Sequence, residues 1–452
     1  MRSFPLQTTL TIGVLGLSLA AAHAVRPNLM GPEPDQAIAL VDFDPARVPM
    51  IPMLRHEEPD PGTTVGSDLQ SPLLDDGHGV LDHFYAALWG AEKGSSVVRV
   101  VHYGDSPTTA DLITGDVRAM LQKRYGSAGH GFVLIAKPWA WYQHAGVELS
   151  ASGWEIAPAT QFQARDGMFG LGGVSFTGGT GAHSHIAFQD RRHTTFAVWF
   201  LRQPGGGVFT VEADGAPIGR MDTGGVSKMA TRATFHAANG AAALDLRVEE
   251  GPVRIFGVSA ERPGPGVIYD SLGLNGASIT VLSRMFNADH WAAELRQRDP
   301  QLVIINYGTN EADFTAFIHK QYEGELREAI RRVRAALPDA SILVMSPMDR
   351  GYRTGPEEIQ TMPNIPVIVG IQRRVARDTG CGFFDTFDAM GGDGTMARWY
   401  AAQPRLVSGD FIHPTPQGGK LVAAIFAREI GFGLNRFKLR QMLLTSAKPA
   451  VR

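Results

Sequence analysis

A valine-rich apolar stretch, Val97 to Tyr103, limits most strongly what this chain can fold into. A short apolar run of β-branched residues predicts a buried strand. The run ends at Gly104-Asp105-Ser106, and apolar residues then recur at helical spacing from Asp111 to Tyr125, with Gly126 as a stop signal. Strand, turn and helix in succession predict an α/β unit with its chemistry at the strand's carboxyl end. Ser106 stands there, although Gly-Asp-Ser also occurs in ordinary turns.

Composition excludes several functional classes. The 452 residues are 44% hydrophobic, enough for more than one domain, and the net charge of −3 gives no electrostatic basis for binding nucleic acid or an anionic membrane. The single cysteine, Cys381, cannot form an intrachain disulfide. The 14 histidines lack metal-binding spacing, and the pair His183 and His185 has no third ligand nearby. We therefore predict no metal and no cofactor.

The N-terminus has the pattern of an export signal. Arg2 is followed by an apolar region, Leu10 to Ala21, and Ala22-His23-Ala24 fits the small-x-small cleavage rule. We expect residues 1–24 to be removed and the mature protein to be periplasmic or extracellular, without membrane attachment. An uncleaved anchor is the alternative, but the apolar run is short for a span. Export disfavours chemistry that uses cytosolic nucleotides.

Composition also divides the remaining chain. Residues 25–79 are rich in proline and acidic residues and predict a leader or linker, or alternatively a spacer from an anchor. Residues 136–265 contain short β-rich runs between glycine-rich turns, which predicts an inserted all-β sandwich that can bind carbohydrate. Strands and helices alternate in 80–135 and 266–435, which predicts an α/β domain with a parallel sheet, and 436–452 remain as a tail.

The α/β regions give a set of expected elements. Besides the strand from Val97, the expected strands are 267–269, 302–307, 342–345 and 382–385. The expected helices, besides 111–125, are 81–88, 277–286, 322–337, 367–377 and 416–430.

Polar or glycine residues occur at or beside several predicted strand ends. The segments are Gly104-Asp105-Ser106, Asp270 to Gly276, Gly308 to Glu311, and the loop Asp410 to Pro414. Ester hydrolysis requires a nucleophile, a base, a group that orients the base, and donors for the oxyanion. The four segments contain a residue type for every one of these roles.

The roles can be assigned residue by residue. Ser106 is the candidate nucleophile, His413 the base, and Asp410 the group that orients the imidazole. The backbone N–H groups of Ser106 and Gly276 and the side-chain amide of Asn310 are candidates for the oxyanion hole. Each has an ordinary alternative: a turn glycine, a capping Asn or Asp, a surface histidine. Their joint occurrence favours catalysis.

Together, these segments resemble the sequence blocks of the SGNH (GDSL-type) hydrolase family. The matching blocks are Gly104-Asp105-Ser106, Leu274-Asn275-Gly276, Gly308-Thr309-Asn310-Glu311 and Asp410-Phe411-Ile412-His413. The resemblance covers residues 80–135 and 266–432 and implies a flavodoxin-like three-layer α/β domain interrupted by the all-β insertion.

A longer stretch resembles one subgroup of that family. His102 to Asp111, followed by Gly126 to Phe132, is similar to exported bacterial members that include peptidoglycan O-acetylesterases with an inserted β module. The resemblance implies a serine esterase that forms an acyl-enzyme and acts on O-acetyl groups of peptidoglycan or an exopolysaccharide. Pro107 departs from the subgroup and removes one N–H near the oxyanion, so we expect lower efficiency.

Two stretches near the β insertion can contact substrate. Trp139, Trp141 and Tyr142, with Trp154 nearby, could stack on sugar rings, or they could be ordinary packing residues. The glycine-rich loop 166–173 lacks a P-loop lysine, so it is either a substrate-facing loop or a plain turn.

Two other functions remain open from the sequence. A glycan O-acetyltransferase would use the same triad with a sugar hydroxyl in place of water. A non-catalytic glycan-binding scaffold would need no triad at all. In all three cases the predicted partner is an acetylated glycan.

Overall fold

The structure is a computed structural model that describes residues 73–161, 164–356 and 358–446. The predicted export signal and most of the predicted leader lie outside the described residues. Among the described residues, none of the helices has both the length and the apolar character needed to cross a bilayer.

The strands, in chain order, are β1 (Leu74–Asp75), β2 (Val97–Gly104), β3 (Gly129–Val133), β4 (Val147–Pro158), β5 (Val174–Phe188), β6 (His193–Arg202), β7 (Val208–Ala213), β8 (Ala216–Asp222), β9 (Met229–Ala241), β10 (Ala243–Glu250), β11 (Val253–Glu261), β12 (Gly266–Gly273), β13 (Leu302–Asn306), β14 (Ser341–Met345), β15 (Gly351–Arg353), β16 (Ile359–Thr361) and β17 (Gly382–Phe384). The α-helices are α1 (Asp82–Glu92), α2 (Ser106–Thr109), α3 (Thr114–Tyr125), α4 (Ala288–Arg298), α5 (Thr315–Phe317), α6 (Glu323–Ala336), α7 (Asn364–Asp378), α8 (Thr386–Ala389), α9 (Thr395–Ala401) and α10 (Pro416–Ser446). Single turns of other helix types occupy Gly77–Gly79, Ala159–Gln161, Val281–Met285, Glu311–Asp313 and Ile318–Tyr322.

The central sheet has the order β1-β17-β14-β13-β2-β12. Strand β2 pairs in parallel with β12 and β13, and β14 pairs in parallel with β13 and β17. Numbered along the chain, these five parallel strands have the flavodoxin-like order 2-1-3-4-5. The order reverses between β2 and β13, and open α/β sheets bind ligands at the carboxyl ends beside such a point.

The sheet is covered on both faces, as its strand pattern requires. In β13, Leu302 and Ile304 belong to one hydrophobic cluster, whereas Val303 and Ile305 belong to another. Successive strand residues point to opposite faces, so this alternation places one cluster on each side of the sheet. Helices α1, α3 and α10 contribute to the first cluster and α4, α6 and α7 to the second. The three-layer α/β domain implied by the family resemblance is therefore present.

The inserted β module comprises β3 to β11, residues 129–261. Its strands pair antiparallel in one nine-stranded network, in which β5 and β11 each contact three other strands. The network is not divided into two separate sheets, so the sandwich stays a prediction. The module also begins earlier than residue 136, because Gly131 to Val133 pair with Val258 to Ala260 of β11.

Several predicted boundaries are wrong. Helix α3 begins at Thr114 because Asp111 has a left-handed φ of 55°. Only one turn, Val281–Met285, forms within the helix predicted over 277–286. The predicted tail is helical as far as Ser446, where α10 ends, since Phe437 is buried and Arg436 bonds Asp76. The end of the predicted leader belongs to the sheet, because β1 pairs with β17.

Candidate active site

Strand β2 delivers Ser106 to the carboxyl edge of the sheet. A side chain on Gly104 would place its Cβ 2.2 Å from Thr108 Oγ1, so the close turn requires glycine there. The turn is closed by hydrogen bonds from Thr109 N to the Asp105 carbonyl (3.0 Å) and from Ala110 N to the Ser106 carbonyl (3.1 Å). Pro107 lies in the first turn of α2, where the missing N–H costs no intrahelical hydrogen bond.

The late loop places an imidazole against this serine. His413 Nε2 lies 2.6 Å from Ser106 Oγ, and His413 Nδ1 lies 2.7 Å from Asp410 Oδ2. Ser106, His413 and Asp410 therefore form a continuous hydrogen-bonded relay. The His413 and Asp410 side chains are 37% and 45% exposed, so the relay is open to solvent.

The conformation of the 410–413 loop is fixed by its own hydrogen bonds. Asp410 Oδ1 accepts from the backbone N–H groups of Ile412 and His413, both at 3.0 Å. Phe411 has a left-handed φ of 59°, is buried, and packs edge-to-face with Tyr400, with ring centroids 4.9 Å apart. Burial raises the pKa of Asp410, but the hydrogen bonds from His413 and Ile412 outweigh it and hold the pKa below its usual range. Asp410 is therefore ionised where it faces the imidazole.

The predicted oxyanion donors lie in two neighbouring turns. Asn310 Nδ2 donates to the Ala277 carbonyl at 2.8 Å, which brings its amide beside Gly276. Leu274 N donates to the Gly104 carbonyl at 3.0 Å, which ties the same turn to the end of β2. A carboxamide carries two N–H donors, so the bond to Ala277 leaves one for a substrate atom. The structure therefore brings the segments of Ser106, Gly276 and Asn310 together.

Two buried carboxyl groups beneath the site were given no role by the sequence. Glu311 Oε1 accepts from Ile279 N at 2.8 Å and ties the Gly276 turn to the Asn310 turn. Burial raises the pKa of Glu311 to about 7, in spite of backbone hydrogen bonds that oppose it. Burial likewise raises the pKa of Asp105 to about 6, opposed by a hydrogen bond with Thr309. In the sequence, Asp105 and Glu311 are marked only as members of the blocks that contain Ser106 and Asn310, and their burial is not indicated.

A second buried network supports the nucleophile turn. Ser271 Oγ donates to the Thr108 carbonyl at 2.8 Å and lies 2.7 Å from Thr114 Oγ1, which donates to Asp111 Oδ1 at 2.6 Å. Asp111 also forms a short ion pair with Arg118. Burial raises the pKa of Asp111, but Arg118 and other partners outweigh it and lower the pKa to about 2. Asp111 is thus an ionised anchor for the turn.

The predicted aromatic contacts are only partly accessible. Trp139 is next to the site, because its Nε1 donates to Thr109 Oγ1 at 3.0 Å. Trp141 is 49% exposed. Tyr142 is a core side chain whose hydroxyl accepts from Leu134 N, so it has no open face for a sugar ring and that prediction is wrong. Trp154 bonds the His183 carbonyl in the adjacent strand β5.

The glycine-rich loop 166–173 is a structural contact between the module and α4. Gly170 N donates to His290 Nε2 at 3.1 Å, and Leu171 N donates to Glu294 Oε2 at 3.3 Å. Phe169 and Leu171 are buried, so this part of the loop does not face a substrate.

Comparisons with known proteins agree with this geometry. Residues 250–421 match the GDSL-like lipase/acylhydrolase family. A solved peptidoglycan O-acetylesterase is similar with a TM-score of 0.69 and 26% identity, covering 80% of this chain and 99% of the other. No curated protein matches the sequence.

Two further solved structures are more distant. A family two carbohydrate esterase from Clostridium thermocellum, in complex with cellohexaose, has 15% identity and a TM-score of 0.28, covering 64% of this chain and 99% of the other. Est24, a carbohydrate acetylesterase from Sinorhizobium meliloti, has 16% identity and a TM-score of 0.28, covering 36% and 78%.

Proposed function

We propose that this chain is a serine esterase of the SGNH (GDSL) type that removes O-acetyl groups from a glycan outside the cytoplasm. The observation that carries the proposal is the 2.6 Å distance between Ser106 Oγ and His413 Nε2. A serine hydroxyl needs an adjacent base to become nucleophilic, and the imidazole is within hydrogen-bond reach.

The reaction proceeds through two acyl transfers. His413 Nε2 takes the proton of Ser106 Oγ as the oxygen attacks the acetyl carbonyl carbon, and a tetrahedral oxyanion forms. The oxyanion collapses, the sugar oxygen leaves with the proton from His413, and the acetyl group remains on Ser106. Water then gives its proton to His413 and attacks the acetyl-serine, which releases acetate and restores the Ser106 hydroxyl. Asp410 holds Nδ1–H throughout and stabilises the imidazolium.

Charge that develops on the carbonyl oxygen needs donors that are already in place. The proposed donors are the backbone N–H groups of Ser106 and Gly276 and the second amide N–H of Asn310. The bond from Asn310 to Ala277 and the bond from Leu274 to Gly104 support this assignment, since they hold both turns against the end of β2. Pro107 has no backbone N–H and so cannot add a further donor.

An open site suits an ester on the surface of a polymer. The His413 and Asp410 side chains are more than one-third exposed, so a bulky alcohol can approach the relay while the small acetyl group contacts the oxyanion donors. The solved neighbour at a TM-score of 0.69 is an O-acetylesterase of peptidoglycan. The proposed substrate class is therefore an O-acetylated cell-wall or extracellular glycan. The N-terminal signal pattern supports export to such a substrate.

Acetate release tests this proposal. The wild-type protein should release acetate from O-acetylated peptidoglycan or an O-acetylated exopolysaccharide, and Ser106→Ala should release none above background. Ser408→Ala, on the same loop as the relay but outside it, is the matched control and should remain active. Release by Ser106→Ala at the wild-type rate would overturn the nucleophile. Activity on p-nitrophenyl acetate without release from either glycan would overturn the substrate class alone.

A further inference from the structure

A second cleft, apart from the triad, opens between helix α3 and the β module. Its volume is about 490 Å³, which lies in the range of roughly 300–1,000 Å³ for small-molecule pockets. Helix α3 contributes Arg118 and Lys123, and the module side contributes His130, Asp190 and other residues. The residues of the Ser106 relay do not line it.

The cleft is positive although the chain as a whole has a net charge of −3. The cationic side chains that line it are Arg118, Lys123, Arg192 and Arg262. The carboxylates that oppose them are Asp190, in the lining, and Asp111, which pairs with Arg118 from behind. Four cations against two carboxylates leave an excess of two positive charges, so the cleft attracts an anion.

Two of these arginines, Arg192 and Arg262, share a single carboxylate oxygen. Asp190 Oδ2 lies 2.6 Å from Arg262 Nη2 and 2.8 Å from Arg192 Nη2. A guanidinium has five N–H donors, so sharing one oxygen leaves donors available on both. Within the described part of the chain, the buried Nε of Arg262 has no hydrogen-bond partner. That Nε is closed to solvent, so a ligand in the cleft would bind the Nη groups instead. Arg262 Nη1 donates to Ser127 Oγ and Nη2 to Asp190 Oδ2, which leaves one N–H on each nitrogen for an oxyanion.

Neutral polar groups line the rest of the cleft. His130 Nδ1 lies 2.9 Å from His193 Nε2, and its ring is partly buried. Burial lowers the pKa of His130 to about 2, with further contributions from His144, His193 and two arginines, so the imidazole is neutral and can bond a hydroxyl. Gln122 and Gln189 also line the cleft. This combination of cations with neutral hydrogen-bonding groups suits a carboxylate attached to a polar body.

We propose that the cleft between α3 and the β module binds a ligand through its carboxylate group. The carboxylate binds to Arg192 and Arg262, whose guanidinium groups match its planar geometry, and to the ammonium group of Lys123. His130 and Gln189 take the neutral polar atoms beside it. The carboxylate can belong to an acidic sugar or to the end of a peptide. The site does not depend on the acyl chemistry at Ser106.

Calorimetric titration of the whole protein tests the proposal. The probes are trigalacturonic acid for a sugar carboxylate, N-acetyl-trialanine for a peptide carboxylate, neutral maltotriose, and inorganic phosphate. We expect saturable binding of at least one carboxylate probe and none of maltotriose, and the probe that binds identifies the source. Binding of maltotriose with equal affinity, or of phosphate alone, would overturn the proposal.

The chain offers matched variants for the same titration. Lys123→Ala/Arg192→Ala removes two lining charges, and we expect the affinity to fall about tenfold. Arg124→Ala/Arg191→Ala removes the adjacent charges, which do not line the cleft; Arg191 pairs with Asp214 instead. The side chains of Arg191 and Arg192 are similarly exposed, at 66% and 70%, so their replacements should perturb the fold to a similar extent.

An equal loss of affinity in both double variants would overturn the proposal. So would no saturable binding of either carboxylate probe to the wild-type protein. If a double variant unfolds, single variants replace it: Lys123→Ala is compared with Arg124→Ala, and Arg192→Ala with Arg191→Ala.

Discussion

The relay depends on which ring nitrogen of His413 carries the proton. The Asp410 carboxylate accepts a hydrogen bond from Nδ1–H of His413. Nε2 is therefore unprotonated and can accept the proton of Ser106 Oγ. Two backbone N–H groups on the other oxygen of Asp410 prevent the carboxylate from turning away. Whether position 410 carries a carboxylate or an amide therefore decides whether the imidazole can act as a base.

Asp410→Asn should test this dependence. The amide can donate to Nδ1 and stabilise the tautomer with its proton on Nε2, which cannot accept from Ser106. We expect kcat for p-nitrophenyl acetate to fall by about 10⁴-fold, as for the same exchange in another serine triad. The melting temperature should change little, because Asp410 is exposed. A loss smaller than tenfold would show that Asp410 does not set the tautomer.

Glu311 is expected to act on catalysis through position alone. Its carboxyl ties Ile279 N to the Asn310 turn, so Glu311→Ala should loosen the Gly276 turn and lower kcat by about 10- to 100-fold with little change in KM. Glu311→Gln keeps an acceptor of the same size and should restore most of kcat. Steady-state kinetics on p-nitrophenyl acetate separate the two parameters. Equal losses in both variants would contradict a positioning role.

At the scale of elements, the module is attached to α4 by buried titratable groups. His290 and Glu294, one helical turn apart, accept the N–H groups of Gly170 and Leu171. Burial raises the pKa of Glu294 to about 8, opposed by the hydrogen bond from Leu171. Between pH 4.5 and 8 the folded protein holds a proton that the unfolded chain has lost, so its free energy of unfolding declines as pH rises and levels off above that range.

Glu294→Gln should therefore make stability less dependent on pH. The free energy of unfolding in urea should fall less between pH 5 and pH 8 in this variant than in the wild type, since the amide does not titrate. Glu328→Gln is the control: hydrogen bonding to Arg331 lowers the pKa of Glu328, so it titrates below this window. Identical slopes in wild type and Glu294→Gln would refute the assignment.

The sequence predicts those elements whose signals are local. The strand from Val97 and the stop at Gly126 are confirmed, because apolar runs and a glycine cap act over a few residues. The start of α3 was wrong because Asp111 is held by Arg118 and by Ala145 N, far along the chain. Ser106, Asp410 and His413 were predicted because they occur at or beside strand ends. The hydrogen bond between Ile279 N and Glu311 forms only when the Gly276 and Asn310 turns come together in the fold, so the sequence could not predict it.

At the scale of the whole molecule, the module and the α/β domain share a hydrophobic core. One continuous cluster contains Phe132 and Trp199 of the module together with Tyr103 and Trp291 of the α/β layers. Trp291 Nε1 also donates to the Tyr103 hydroxyl at 2.9 Å. Separating the module would expose these side chains, so the two parts depend on each other for stability.

This shared core predicts that the module does not unfold on its own. Differential scanning calorimetry should give one endotherm, with loss of tryptophan fluorescence and of far-ultraviolet circular dichroism at the same temperature. Two resolved endotherms, one of them accompanied only by loss of the β-sheet circular dichroism signal, would mean that the module is an independent folding unit.

The central claim is that distant segments converge so that Ser106 carries the acyl group, and trapping the acyl-enzyme tests it most directly. After rapid mixing with p-nitrophenyl acetate and acid quenching, mass spectrometry of the digested protein should find one acetyl group on the peptide with Ser106. The same peptide from Ser106→Ala should carry none. An acetyl group on another residue, or turnover that persists in Ser106→Ala, would contradict the account.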